Sequence, residues 1–200
     1  KWEDLITIVN EVRNKVLDIK DDDWRKRNID KDEEKDVNDL SSGMLICGAE
    51  TEFTLITPKV QMPLSVYQKT MLYVNSVNTE ISGIGITDFT NGVITIKEIF
   101  LLEQISSGAN TEINDEALSK LMVELIGKSI DTGNLNYWWH SHEDGNTFWS
   151  STDDRACDEL CNKNFTISMV FSKKHAPKSN IELYKPIRRT IDNIKVVVYI

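Results

Sequence analysis

Apolar residues recur at helical spacing at the start of the chain, where Trp2, Leu5, Val9, Val12, Val16 and Ile19 line one side of an otherwise charged segment. Residues 20–39 follow with nine acids and six bases against Trp24, Ile29 and Val37, the pattern of a solvated linker or exposed helix. From Leu40 the texture changes. Residues 44–47 and 53–57 read as short strands around Gly48, and Pro58 and Pro63 punctuate the approach to a helix over 65–77, with Val66, Met71 and Val74 apolar. Residues 80–89 and 93–102 read as a hairpin, because Asn91-Gly92 supplies the positive φ angles of a tight primed turn. Asn114 or Asp115 can cap a helix striped by Leu118, Leu121, Met122, Leu125 and Ile126. A strand over 135–142, a helix over 151–162 and strands over 165–172, 181–185 and 194–200 complete the pattern.

Strands wrapped around two or three helices predict an α+β, or mixed α/β, domain over 40–200, preceded by an N-terminal helix and acidic linker over 1–39. The striped helix over 1–19 is expected to pack on the domain or on a partner, since its apolar side would otherwise face water. It is too charged for a signal peptide, and no uncharged apolar run approaches the ~18 residues of a membrane span. A formal charge of −9 with no basic cluster speaks against nucleic acid, and three cysteines suggest no disulfide framework, so a reducing cytosol is the expected home.

The chemistry concentrates in one passage, Tyr137-Trp138-Trp139-His140-Ser141-His142, and its continuation to Asp153. Two of the three histidines lie here, two residues apart on a predicted strand. Side chains alternate along a strand, so His140 and His142 point the same way and can hold one ion. Seven residues separate His142 from Ser150, and Asp153 follows one helical turn later on the same side. Two neutral imidazoles and a carboxylate suit Zn²⁺ with a fourth position left for water.

The spacing His-x-His, seven residues, Ser, two residues, Asp resembles the signature of the JAMM (MPN+) zinc metalloproteases. That family also carries a glutamate on an earlier strand in a Glu-x-x-Gly context, matched here by Glu80-Ile81-Ser82-Gly83. The resemblance runs from about Pro58 to Ile200, and the wording is closest to prokaryotic and phage-encoded members. It implies the cytidine-deaminase-like fold, a curved sheet flanked by two or three helices. It implies one zinc per chain on His140, His142 and Asp153, with Glu80 as general base and Ser150 as donor to the oxyanion of a tetrahedral intermediate. The reaction implied is hydrolysis of a peptide or isopeptide bond by a metal-activated water, on a protein or peptide substrate.

The pattern departs from many members at Glu143, where proline is frequent, and at Thr87, where glycine is frequent; both bear on the shape of the substrate groove. Gly83 and Gly85 are expected to let backbone or substrate approach the site. The connections over 103–114 and 172–180 look short beside the ubiquitin-gripping insertions of the eukaryotic deubiquitinases, which points to another substrate. Trp149 is the best groove wall, while Trp138 and Trp139 read as packing, His175 as surface, and Cys157 and Cys161 as small core residues. A silent MPN-type scaffold is the alternative function, disfavoured by the complete ligand set. A zinc deaminase would need His-x-Glu and Pro-Cys-x-x-Cys, which are absent.

Overall fold

The computed structural model describes residues 2–18, 58–108, 110–142, 145–150, 153, 156–157, 165–184 and 188–200. The strands expected over 44–47 and 53–57 and the linker over 20–39 lie outside these residues, as do Glu143 and Cys161. The first helix, α1 (Trp2–Lys15), stops short of the Ile19 that its stripe reaches, because Val16–Asp18 leaves it as a strand, β1. Pairing decides that boundary: β1 runs parallel to β5 (Gln104–Ser106), with Val16 opposite Gln104. β5 also pairs antiparallel with β6 (Thr111–Ile113), so the connection over 103–114 is a small hairpin and not the plain short link its length suggests.

The main sheet opens with β2 (Lys59–Pro63), which feeds α2 (Leu64–Asn75) through Pro63 at the cap. Then come β3 (Ser82–Thr90) and β4 (Val93–Phe100), joined as expected by Asn91 at φ 53° and Gly92 at φ 76°. Glu80 falls just ahead of β3 instead of within it. Asn114 is the cap of α3 (Asp115–Gly127), its side chain accepting the Ala117 N–H at 3.0 Å. Leu121 and Leu125 of α3 are buried, whereas Ile126 is 63% exposed and falls off the packed stripe. After β7 (Tyr137–His142) the helix expected over 151–162 is helical at its described residues, Asp153, Ala156 and Cys157. The remaining strands are β8 (Phe165–Ser172), β9 (Lys178–Leu183), β10 (Arg189–Ile191) and β11 (Val196–Tyr199). β9 begins three residues before the expected Ile181, and β10 was too short to register as a periodic pattern.

Among the described residues, eight strands form one curled mixed sheet in the order β10-β9-β8-β7-β3-β4-β2-β11, giving an α+β architecture. β7 is central, antiparallel to β3 and parallel to β8, and all six of its residues are buried, so both faces of the sheet are covered there. On one face, Val12 of α1 and Tyr73 of α2 join Val60, Ile81 and Trp139 in the larger core. The N-terminal helix is thus built on the domain. Tyr73 stacks on Trp139 with centroids 6.1 Å apart, and its hydroxyl donates to Glu11 of α1 at 2.8 Å. Burial raises the Glu11 carboxyl, but hydrogen bonds from Lys15 and Tyr73 win and hold it below its ordinary value. On the other face, α3 packs Leu121 and Leu125 against Ile84, Trp138 and Cys157. Among the described residues no helix is long and apolar enough to cross a membrane.

Candidate metal centre

Strand alternation places His140 and His142 on the Trp138 face of β7, toward α3, while Trp139 and Tyr137 turn to the larger core. Their Nε2 atoms stand 3.2 Å apart. Asp153 Oδ1 lies 3.4 Å from His140 Nε2, and Glu80 Oε1 lies 3.8 Å from His142 Nε2. One donor atom from each of His140, His142 and Asp153 falls within 4.8 Å of the others, and all three residues are buried. This group could hold a metal ion. Ligands about 2.0–2.1 Å from a tetrahedral zinc are about 3.3–3.4 Å from one another, close to the two separations seen here.

Each ligand is aimed by its own surroundings. His142 Nδ1 lies 2.9 Å from the Asn146 carbonyl, which only an N–H can satisfy, so in the neutral ring Nε2 keeps its lone pair for an ion. Asp153 Oδ2 accepts both the Ser150 N–H at 2.6 Å and the Ser150 hydroxyl at 2.8 Å, leaving Oδ1 turned to His140. His140 is oriented by rings instead: Trp138 stacks on it at 4.5 Å and Trp149 meets it edge-on at 5.8 Å. Its Nδ1 has no hydrogen-bond partner among the described residues. Burial, and secondarily the neighbouring His142, push the His140 pKa down to about 3, so the ring is neutral and able to ligate.

The segment carrying Glu80 is fastened through its backbone. Glu80 N–H donates to the Ser107 carbonyl at 3.0 Å, Ser141 N–H to the Ile81 carbonyl at 2.8 Å, and Ile81 N–H to the Ser141 hydroxyl at 3.2 Å. Glu80, Ser150 and Trp149 therefore gather with the three ligands. Trp149, expected as a groove wall, packs on the α3-side core. His175 sits in an exposed turn and Cys157 is buried, as their sequence settings suggested.

Of two expectations about the groove, one holds in part and one is corrected. A Cβ on Gly83 would lie 2.5 Å from the Phe100 carbonyl and 2.6 Å from the Trp139 ring; one on Gly85 would lie 2.5 Å from the Glu98 carbonyl and 2.7 Å from the Tyr137 ring. The expected close approach of backbone is thus present, at the Phe100 and Glu98 carbonyls, while the remaining room is taken by core aromatics on the face away from the histidines and not by substrate. Thr87 is likewise internal: it is buried at the β3 bulge, with its hydroxyl bonded to the Asn136 side chain. Asn146 had no signal in the sequence, because it acts through its carbonyl. Phe148, 55% exposed and tilted over His142 at 4.6 Å, was also missed.

No protein-family model and no curated protein sequence matches the chain. Among solved structures, it is similar to the solution structure of protein DSY2949 from Desulfitobacterium hafniense, with a TM-score of 0.52 and 11% identity over 70% of this chain and 92% of that one. At that identity the likeness shows a shared fold and nothing of function.

Proposed function

We propose that the protein is a zinc metallopeptidase of the JAMM type, hydrolysing a peptide or isopeptide bond of a protein or peptide substrate in the cytosol. The observation that carries this reading is the convergence of two buried imidazole nitrogens and one carboxylate oxygen at 3.2 and 3.4 Å, with the Glu80 carboxylate 3.8 Å from His142. The donor set fits zinc: His140 is kept neutral, His142 is held in one tautomer by Asn146, and Asp153 is held by Ser150. Zinc bound there would polarise the scissile carbonyl and acidify a water.

The chain's residues supply the rest. Glu80 takes a proton from the attacking water and returns it to the leaving amine, and its fixed backbone keeps the carboxylate beside the ligands. Ser150 would keep its hydroxyl on Asp153 Oδ2 while an ion is bound, and turn it to donate to the oxyanion only as that charge develops. Trp138 and Trp149 wall His140 and keep water from its ring. The test is hydrolysis of a mixed peptide and isopeptide library by zinc-loaded protein, with Glu80→Gln as control. Cleavage by the wild type alone supports the proposal; a library left intact by zinc-loaded wild type would count against it and favour a silent scaffold.

A further inference from the structure

Gln104, the first residue of β5, is only 4% exposed, and the reaction described above makes no use of it. Its carboxamide makes three hydrogen bonds. Oε1 accepts the Ser82 N–H at 2.9 Å, and Nε2 donates to the Ser82 carbonyl at 2.9 Å and to the Leu102 carbonyl at 3.0 Å. A carboxamide presents a donor and an acceptor side by side, as a strand backbone does. The reason for a substitute lies in the sheet. β4 ends at Phe100, opposite Ile84, so at Ser82 it no longer reaches β3. On its other edge Ser82 is the register partner of His140.

We infer that Gln104 is a positioning residue for Glu80: its side chain replaces the missing strand beside Ser82 and so sets the approach of the Glu80 carboxylate to His142. The mount is firm. β1 and β6 flank β5, with Val16 and Ile113 both opposite Gln104, and Lys15 Nζ donates to the Leu101 carbonyl at 2.8 Å just ahead of it. Beyond β5, the Ser107 carbonyl holds the Glu80 N–H at 3.0 Å. Gln104 of this short strand and Ser107 just after it thus grip the Glu80 segment at both Ser82 and Glu80. Gln104 touches none of the metal ligands in this network, so its loss should disturb the base and spare the ion.

This inference rests on the reading of Glu80 as base, and the test separates the two. Wild type, Glu80→Gln, Gln104→Met and Gln104→Glu are loaded with Co²⁺, which takes similar N/O ligands and has a visible spectrum, and the spectrum is titrated with pH. Methionine keeps the length and loses all three bonds; glutamate keeps the shape and, once ionised, loses the two donated ones. Expected are one Co²⁺ per chain in Gln104→Met, a spectral midpoint moved in the same direction as in Glu80→Gln, and peptide hydrolysis slowed about 10–100-fold through kcat with KM kept. Gln104→Glu should move the midpoint the same way by less, and it carries the test alone if Gln104→Met does not fold. A wild-type midpoint and kcat in either folded Gln104 variant would overturn the inference. An unmoved midpoint in Glu80→Gln would instead remove the base reading, and this inference with it.

Discussion

Replacing Ser150 by alanine asks whether this serine serves the metal as well as the substrate. Asp153 Oδ2 accepts two hydrogen bonds from Ser150, one from the main chain at 2.6 Å and one from the hydroxyl at 2.8 Å, while Oδ1 faces His140. Ser150→Ala removes the second and leaves the first. A hydrogen bond to a charged group contributes about 1.5–3 kcal/mol, which at about 1.4 kcal/mol per decade is roughly 10–100-fold in affinity. Loss of an outer-shell partner of a metal ligand costs about the same, 10–100-fold. Because the main-chain bond survives, we expect the low end, about tenfold weaker zinc binding. Competition against a fluorescent chelator at fixed pH measures it. Wild-type zinc affinity in Ser150→Ala, with a loss in rate alone, would refute the reasoning and leave Ser150 a pure oxyanion donor.

Glu80→Gln keeps size and backbone fastening but cannot accept a proton, so it should bind zinc like the wild type and hydrolyse substrate at least about 10²-fold more slowly, checked by metal titration and single-turnover assay. Gly83→Ala drives a Cβ to 2.5 Å from the Phe100 carbonyl and should lower unfolding stability by about 1–3 kcal/mol in urea, while the folded fraction keeps its zinc stoichiometry. In the metal-free protein, His140 has a folded pKa near 3 against about 6.5 for an unfolded histidine. The unfolded chain therefore binds the extra proton between those values. Stability is whole above pH about 6.5 and should fall by up to about 1.4 kcal/mol per pH unit as acid is added, a slope His140→Phe should reduce in urea titrations.

The site residues could be read from the chain because their geometry is local. A two-residue step on a strand puts His140 and His142 on one face, and one helical turn puts Ser150 beside Asp153. Glu80 was legible only by resemblance to a family motif, since its distance from His142 depends on how β3 meets β7. Gln104 gave no sign, because its role exists only where β4 stops at Phe100 and Ser82 is left without a strand. The glycines were legible in part: the close approach of backbone is seen, but strand parity alone does not say which face holds the site, and Gly83 and Gly85 share theirs with Trp139 and Tyr137. Long periodic elements such as α2, α3 and β8 came within a few residues of their expected bounds, whereas β1, β5, β6 and β10 span three residues each, too few to show a period. Ile126 extended the α3 stripe on paper, but the face that packs is the one through Leu121 and Leu125.

The most direct measurement is the metal content of protein purified without chelator, alongside His140→Ala. About one zinc per chain in the wild type, and a marked loss in the variant together with a lower melting temperature, is the result the ligand geometry predicts. Wild-type protein that carries no zinc and takes none up when it is supplied would contradict the account at its centre.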